Sequence, residues 1–558
     1  MADYKDELIA LLKKNNDALQ AENDLLNQKI IKQTEMLTSQ SKQIDELTKR
    51  ITNLLDLMST MKKELYGSKS EHRKKDVEMD GQYSFFNETE FCADPKAEEP
   101  PAKEMVSGYM RGKNRKSKRT KDELYDSIPV HKEYLEAESD ICPVCGSKMK
   151  SIGYSYAYEE LQIIPAQVVR VQYYKESYKC PHCSTDEKAK IISAPVPARL
   201  IPHSFAASST VAWIMVQKYV NMVPLYRQEQ AWKQEGVILH RNTMANWIIF
   251  TADHYLKPIY DRMHELLIQR DVLHADETPC QVLREEGRRA QQKSYMWTYL
   301  AVDDDEQPNI VLYDYRPGRS GDYAKEFLKG FKGYCHVDGY QGYNKVDDLI
   351  RVGCMAHCRR YFYQAIPSGQ SQSDKGPAQK GYAYTNKLFE IERDLKDLAP
   401  DKRKNERLER EEHVLDEFFA WVKTVNPVKG SRLDKAVTYA IKQEDNLRNY
   451  LKDGRLQLSN NAAEIRIKSY VMGRKNFLFH DTPAGATAST VVYSLIETAK
   501  ANNVNVFQYL MQVFLYMPGY EEGSASVDVE DMLPWSDFMK EQLDRMEKAK
   551  REKLEADP

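Results

Sequence analysis

The sequence predicts a multidomain α/β protein that begins with an oligomerisation helix. The chain has 558 residues, of which 41% are hydrophobic, so it is too long for one core and apolar enough to build several. A seven-residue repeat fills the first 66 residues, and from about residue 270 strand-like runs alternate with helix-like runs. This alternation predicts a mixed α/β sheet in the second half of the chain.

The net charge of −3 conceals two segments of opposite sign. An acidic stretch at 76–104 is followed by the basic run RGKNRKSKRTK at 111–121, and such segregation says more about partners than the total does. The nine cysteines include two C-x2-C pairs, and the sequence shows neither a leader pattern nor an apolar run able to span a bilayer. We therefore expect a cytoplasmic protein with reduced thiols and no membrane segment.

Residues 1–66 show the pattern of a coiled coil. One seam repeats every seven residues and the second follows three residues after it; together they include Ile9, Leu12, Asn16, Leu19, Asn23, Leu26, Ile30, Leu37, Ile44, Leu47, Ile51, Leu54, Met58, Met61 and Leu65. The repeat persists well beyond the three or four heptads that make such a pattern reliable. Asn16 and Asn23 at core positions would fix the register of the pairing. The segment predicts a homo-oligomer.

Residues 67–138 form a charged linker, and the residues that follow, 139–195, carry four cysteines. Within the linker, Arg115, Lys116 and Arg119 belong to the basic run, which is either a solvated tail or a contact to DNA phosphates; its position beside the cysteines favours DNA. The sequences CPVCG at 142 and CPHC at 180 provide Cys142, Cys145, Cys180 and Cys183, which is the donor set of a structural, tetrahedral Zn²⁺ site. The apolar runs 156–164 and 168–178 predict a hairpin that brings the two pairs together.

Residues 196–268 predict a helical region with a helix-turn-helix pattern. Gly236 interrupts two helix-like runs, and Asn242 is the expected N-cap of the second run. Arg241 and Asn242 would then lie at the leading end of the second helix, where such motifs contact base edges. A helical hairpin with no DNA contact has the same pattern.

The strand-like runs after residue 270 end in two conspicuous carboxylates. The run DVLHADETPCQVL predicts a strand ending near Asp276, and GYCHV predicts a later strand ending at Asp338. Between them lie two further strand-like runs and a helix; after them come a helix at about 341–349 and a strand at 350–354. Because the ends of neighbouring strands can meet in space, we expect these two carboxylates to converge.

A third carboxylate follows a long helical stretch. The segment LSNNAAEIRIKSYVMGRKNFLF at 458–479 predicts a helix capped by Ser459 or Asn460, with Glu464 in its first turns. A glutamate on a helix is usually a solvated surface residue. Three converging carboxylates, however, are enough to hold two Mg²⁺ ions for phosphodiester cleavage, since each ion keeps several water ligands.

Several ordered motifs resemble the bacterial insertion-sequence transposases of the family numbered sixty-six. They are HADET at 274, HVDGYQGY at 336, GCMAHCRRYF at 353, LSNNAAE at 458 and GRKNFLF at 473. The resemblance implies a ribonuclease H-like catalytic domain at 269–490 with a helical insertion at about 359–455. It also implies that Asp276, Asp338 and Glu464 are a DDE triad binding two Mg²⁺ ions, or Mn²⁺.

Several other residues near these motifs have predictions of their own. Glu277 follows Asp276 in a strand and should point to the opposite face. Cys354, His357 and Cys358 lack a fourth ligand in the local sequence and are expected to pack in the fold. Relatives commonly carry arginine where this chain has Ile465, so Arg466 or Lys468 is expected to contact phosphate in its place. The remaining basic residues expected to bind DNA strands are Arg359, Arg360, Arg474 and Lys475.

The sequence thus predicts a DNA transposase that acts at the bacterial nucleoid on element ends and target DNA. The family resemblance adds accessory transposition proteins as possible partners. A DNA-binding regulator with an inert catalytic domain, acting through its zinc module and coiled coil, fits the same motifs and stays open. No chemistry is assigned to the C-terminal helical segment and tail at 491–558.

Overall fold

The computed structural model describes residues 2–66, 148, 168–179, 191–196, 198–302, 307–367, 370–373, 375–521 and 528–556. They form two compact units. The first contains described parts of 1–97, 358–391 and 413–444, and the second contains described parts of 98–357, 392–412 and 445–558. The following residues with predicted roles lie outside the described residues: Arg115, Lys116, Arg119, Cys142, Cys145, Cys180 and Cys183.

Helices are the commonest elements among the described residues, and the larger of the two sheets belongs to the second unit. As far as the sheet's last strand, the elements are α1 (Ala2–Tyr66), β1 (Ser177–Lys179), β2 (Ile191–Ser193), α2 (Ser208–Tyr219), α3 (Leu225–Gln234), α4 (Arg241–Thr251), α5 (Lys257–Leu267), β3 (Val272–Gln281), β4 (Lys293–Ala301), β5 (Ile310–Arg316), α6 (Gly321–Phe327), β6 (Gly333–Val337) and β7 (Leu349–Gly353). The remaining helices are α7 (Met355–Ala365), α8 (Pro377–Leu395), α9 (Pro400–Arg410), α10 (Glu412–Val422), α11 (Arg432–Lys442), α12 (Glu444–Arg448), α13 (Asn461–Phe477), α14 (Pro483–Ala501), α15 (Val506–Glu521) and α16 (Asp537–Ala556).

The first unit is helical. Its longest element, α1, continues for 65 residues without a break, as the heptad pattern predicts for the helix itself. Elsewhere in the unit, an aromatic cluster surrounds Phe418, whose ring centroid lies 5.9 Å from those of both Phe362 and Tyr384. Each large aromatic side chain buries much apolar surface, so this cluster forms a core for the helices of the unit.

The second unit is built on a five-stranded mixed sheet with the order β5-β4-β3-β6-β7. Strands β3, β4 and β5 pair antiparallel, whereas β6 lies parallel to both β3 and β7. The mixed α/β sheet predicted from the sequence is therefore confirmed. On β4, which pairs with the central strand β3, Trp297 and Tyr299 are fully buried.

Helix α14 covers the outer edge of β5 and satisfies its backbone groups. The Val311 amide donates to Thr498 Oγ1 at 3.0 Å, and the Tyr313 amide donates to Ser494 Oγ at 2.8 Å. Thr498 Oγ1 also donates to the Val311 carbonyl at 3.0 Å. An exposed edge strand would present unpaired backbone groups to other chains. The hydroxyl groups of α14 pair with these groups of β5, as the backbone of a neighbouring strand would.

Three sequence predictions about strands and helices need correction. β3 does not end near Asp276 but continues to Gln281, because antiparallel pairing with β4 extends as far as Gln281 opposite Lys293. The segment after Asp338 is a short 3-10 turn, Gln341–Lys345, and not an α-helix, since β7 begins four residues later. Near the cysteines, described residues 168–176 form no strand and β1 pairs with β2; the other run of the predicted hairpin, 156–164, lies outside the described residues.

The region predicted to be a helix-turn-helix contains two helices, α3 and α4, with a boundary different from the predicted one. Gly236 separates α3 from α4 and has a φ of 78°, which glycine adopts without steric cost. Helix α4 begins at Arg241 with His240 at the N-cap position, so Asn242 is not the cap but lies in the first turn. Among the described residues, no helix is long and apolar enough to cross a membrane.

Candidate active site

The pairing of β3 with β6 brings the two predicted aspartates to neighbouring positions. The parallel register places His274 opposite His336, and Asp276 and Asp338 each follow two residues later. Asp338 comes immediately after the last residue of β6. Its Oδ1 accepts a hydrogen bond from the Tyr340 amide at 2.7 Å, so this carboxylate also stabilises the turn that follows the strand.

Negative charge is concentrated around Asp276. Burial raises the pKa of this carboxyl well above its ordinary value, and the negative charges of Glu277, Asp338 and Glu464 raise it further. A hydrogen bond from the Glu277 amide to Asp276 Oδ1, 2.8 Å long, acts in the opposite direction. A divalent cation would remove the repulsion among these carboxylates, which makes the cluster suitable for a hard metal ion with oxygen ligands.

Glu277 contacts a different set of residues from Asp276. Its carboxylate accepts hydrogen bonds from Arg319 at 2.8 and 2.5 Å and from the Tyr343 hydroxyl at 2.8 Å. Burial and the charge of Asp338 raise the pKa of Glu277 to about 7, while Arg319 and Tyr343 oppose that rise. Glu277 is therefore held by side chains of other segments, whereas Asp276 accepts its hydrogen bond from the adjacent backbone amide.

Sequence reasoning missed Arg319. Its Nη2 lies 2.5 Å from Glu277 Oε1 and 4.0 Å from Asp338 Oδ2, and its guanidinium stacks 4.1 Å from the centroid of the Tyr340 ring. The guanidinium therefore supplies positive charge to two carboxylates of the site. The segment RPGRS in which it lies has no motif that would have singled it out.

Glu464 lies in the first turn of α13, beside residues that the sequence did not connect to it. His357 Nδ1 is 3.8 Å from Glu464 Oε1. One ligand atom each from Cys354, His357 and Glu464 lies within 4.8 Å of the others. Within the described part of the chain no such group contains Asp276 and Asp338, so the role of these three acids as metal ligands stays a prediction.

Asn460 connects the start of α13 to β3. Its Nδ2 donates to the Ala275 carbonyl at 2.8 Å, and its Oδ1 lies 3.0 Å from His274 Nδ1. Since the amide nitrogen is already donating to a carbonyl, Oδ1 must accept and His274 Nδ1 must carry the proton. The sequence predicted Ser459 or Asn460 as a helix cap; Asn460 occupies that position, but its side chain makes no capping hydrogen bond.

The basic residues predicted to bind DNA lie on several different helices. Arg241 and Asn242 are exposed at the start of α4, and Lys475 is exposed near the end of α13. Arg474, partly buried, donates to Thr278 Oγ1 at 3.4 Å. Arg359 and Arg360 belong to the first unit, where Arg359 stacks on Phe389 with 5.0 Å to the ring centroid.

Two residues were expected to replace the arginine missing at Ile465. Arg466 Nη1 lies 3.6 Å from Glu497 Oε2, and the Glu497 side chain is 2% exposed. Arg466 is therefore engaged with a buried carboxylate inside the unit. Lys468 lies on the same helix and is partly buried; its contact with phosphate stays a prediction.

A mixed sheet that gathers carboxylates at neighbouring strand positions defines a candidate metal-dependent α/β enzyme. The family model described as Transposase IS66 family matches residues 203–488, and the chain belongs to that family. The zinc-finger binding domain of transposase IS66 matches 139–184, and the IS66 C-terminal element matches 494–535. The zinc-finger match spans all four predicted zinc ligands.

Relatives cover most of the chain. Uncharacterized protein y4qI of Sinorhizobium fredii is 26% identical over 505 residues, which make up 87% of this chain and 89% of the relative. Uncharacterized protein y4jD of the same organism is 28% identical over 425 residues, or 73% of this chain and 80% of the relative. The likeness therefore extends beyond the catalytic region to most of the chain's length.

Proposed function

We propose that the chain is a DNA transposase that cuts the ends of an insertion sequence and joins them to target DNA. The observation that carries this proposal is that Asp276 and Asp338 lie at matching positions of the paired segments β3 and β6. Burial and the charges of Glu277 and Asp338 raise the pKa of Asp276, and the charge of Glu464 raises it further. Membership of the IS66 transposase family supports the same reading. The sheet order, with three antiparallel strands followed by two parallel ones, supports a ribonuclease H-like core.

In this proposal Asp276, Asp338 and Glu464 hold two Mg²⁺ ions, or Mn²⁺. Bound there, the ions supply activation of the attacking water or hydroxyl and charge stabilisation of the leaving oxygen. The residues themselves set the geometry. Arg319 neutralises Glu277 in an ion pair and the Tyr340 amide orients Asp338. Lys468 contacts the backbone phosphate.

Cleavage by hydrolysis releases a 3′ hydroxyl group, which then attacks a phosphodiester of the target strand. Both reactions transfer a phosphoryl group between oxygen atoms, so the same three carboxylates serve both. The zinc module at 139–195, the basic run and the leading end of α4 recognise the element ends. The zinc-finger match supports a structural Zn²⁺ ion on the four cysteines.

Replacement of Asp338 by asparagine tests the catalytic assignment. We expect Asp338→Asn to lower Mg²⁺-dependent cleavage of an end-containing duplex by at least about 10²-fold, because the neutral amide is a poor ligand for a hard cation. Binding to the same duplex should be retained. The matched control is Asp347→Asn, which alters an exposed carboxylate paired with Lys325 and should cleave normally. Full activity of Asp338→Asn would refute the assignment.

We also propose that α1 pairs with α1 of a second copy, so that the two element ends are held together. Along this helix Ile30, Leu37 and Ile44 recur every seven residues and are 57%, 66% and 62% exposed. Leu37→Lys should therefore lower the mass of the assembly in analytical ultracentrifugation. Thr38→Lys, one residue further along the helix, is the control and should leave the mass unchanged; an unchanged mass for both variants contradicts the pairing.

A further inference from the structure

A thiol, an imidazole and a carboxylate meet beside the proposed magnesium site. Their ligand atoms belong to Cys354, His357 and Glu464 and all lie within 4.8 Å of one another. From sequence spacing alone, Cys354 and His357 lacked further ligands. The fold supplies Glu464 from a position more than a hundred residues later in the chain, and Cys358, the other cysteine of that motif, is buried but is not part of the group.

Two helix starts build this cluster. Cys354 immediately precedes α7, and His357 follows one turn later, while Glu464 lies in the first turn of α13. The Met355 amide donates to the Leu458 carbonyl at 3.0 Å, which ties the start of α7 to the segment that leads into α13. Helix starts carry partial positive charge that favours anionic ligands, so both the thiolate and the carboxylate suit these positions.

The sulfur atom already accepts a backbone hydrogen bond. The Asn460 amide donates to Cys354 Sγ at 3.3 Å, and Asn460 is itself fixed to β3 through its side chain. Hydrogen bonds that orient a ligand are a regular part of metal sites in proteins. The same residue thus positions the start of α13, which carries Glu464, and directs a donor at the sulfur.

We propose that Cys354, His357 and Glu464 form a binding site for Zn²⁺. Thiolate and imidazole ligands select zinc over magnesium, which prefers oxygen ligands. Three protein ligands leave a fourth position of a tetrahedral ion for water or another ligand, and the side chains of His357 and Glu464 are only 22% and 19% exposed. Such a site is separate from the four-cysteine module and shares only Glu464 with the proposed magnesium site.

Zinc content tests the proposal directly. The full chain is equilibrated with Zn²⁺, freed of excess by gel filtration, and analysed for zinc by inductively coupled plasma mass spectrometry. We expect Cys354→Ser and His357→Gln each to carry one zinc ion fewer per chain than the wild type. Cys358→Ser is the matched control, since it removes a neighbouring buried thiol outside the cluster, and it should keep the wild-type content.

Cobalt substitution supplies a second readout. With Co²⁺ in place of Zn²⁺, the Cys354→Ser variant should lose part of the sulfur-to-cobalt charge-transfer absorption, while the contribution of the four-cysteine module remains. Equal zinc contents in the wild type and both cluster variants would overturn the proposal. If Cys354→Ser fails to fold by circular dichroism, His357→Gln decides the question, and a wild type that holds only the zinc of the four-cysteine module overturns it without any variant.

The metal analysis uses no DNA, so its outcome is independent of the proposed function. A chain that binds the additional zinc but does not cleave DNA would retain this site and lose the transposase proposal. A chain that cleaves DNA in Mg²⁺ but binds no additional zinc would support the transposase proposal and refute this zinc site. Refutation of one proposal therefore does not refute the other.

Discussion

Replacement of Asn460 by alanine should uncouple the start of α13 from β3. The Asn460 side chain is buried, with 2% of the residue exposed. It makes two hydrogen bonds to β3, one to the Ala275 carbonyl and one with His274 Nδ1. Alanine removes both, while the backbone hydrogen bond from the Glu464 amide to the Asn460 carbonyl, 3.2 Å long, is kept. The variant should therefore form α13 but hold it less firmly.

The loss of stability can be worked out from the two polar groups that lose their hydrogen-bond partners. The substitution buries a carbonyl and an imidazole N–H without their partners, and each such group costs about 1–2 kcal/mol. The sum is about 2–4 kcal/mol for opening of the strand. Since every 1.4 kcal/mol is a factor of ten, amide exchange in β3 should become about 30- to 700-fold faster.

Hydrogen–deuterium exchange with mass spectrometry measures this effect on peptides covering 272–281. The same variant should cleave DNA about 10²-fold more slowly, because small displacements of a catalytic carboxylate have large effects on rate. Asn461→Ala is the control, since Asn461 is exposed at the first position of α13. The reasoning is refuted if Asn460→Ala and Asn461→Ala have the same exchange rates in β3.

Two further predictions concern the second unit. A Cβ atom at Gly321 would overlap the Gly342 carbonyl, so Gly321→Ala should lower the free energy of unfolding by about 1–3 kcal/mol in thermal unfolding, whereas Gly318→Ala should be nearly neutral because its nearest contact would be Tyr323 at 3.6 Å. Equal melting temperatures for the two would contradict this. Burial, aided by Lys218, lowers the pKa of His480 to about 3 from 6.5, so its contribution to stability is complete above pH 6.5 and is lost as the pH falls towards 3. Denaturant titrations should show a loss of up to about 1.4 kcal/mol per pH unit in that range, and His480→Gln should weaken this dependence; an unchanged slope would argue against it.

Local sequence patterns predicted the elements of this fold better than their ends. Period-two alternation identified the strand around Asp276, but its end depends on how far β4 pairs with it, and pairing extends to Gln281. The glycine at 236 was predicted correctly as a helix break because its positive φ is a local property. The start of α4 was placed two residues late because Asn242 is a favoured cap residue, yet His240 holds that position.

The parts of the site that the sequence did not predict all depend on contacts between distant segments. Arg319 reaches Glu277 across 42 residues, and the Asn460 side chain reaches His274 across 186 residues. No periodicity or spacing encodes such contacts. Asp276 and Asp338 were different, because both belong to strand-like runs that the sequence shows, and the parallel pairing of β3 with β6 brings the two residues to neighbouring positions.

Glu464 has two sets of neighbours, and they compete for one carboxylate. Its charge acts on Asp276, while its Oε1 lies 3.8 Å from His357 Nδ1. Oxygen ligands of the aspartates favour Mg²⁺, and the thiol and imidazole favour Zn²⁺. A zinc ion held by Cys354 and His357 would take an oxygen of Glu464 that the proposed triad needs. Which metal is bound at this helix start therefore determines whether Glu464 is available to the two aspartates.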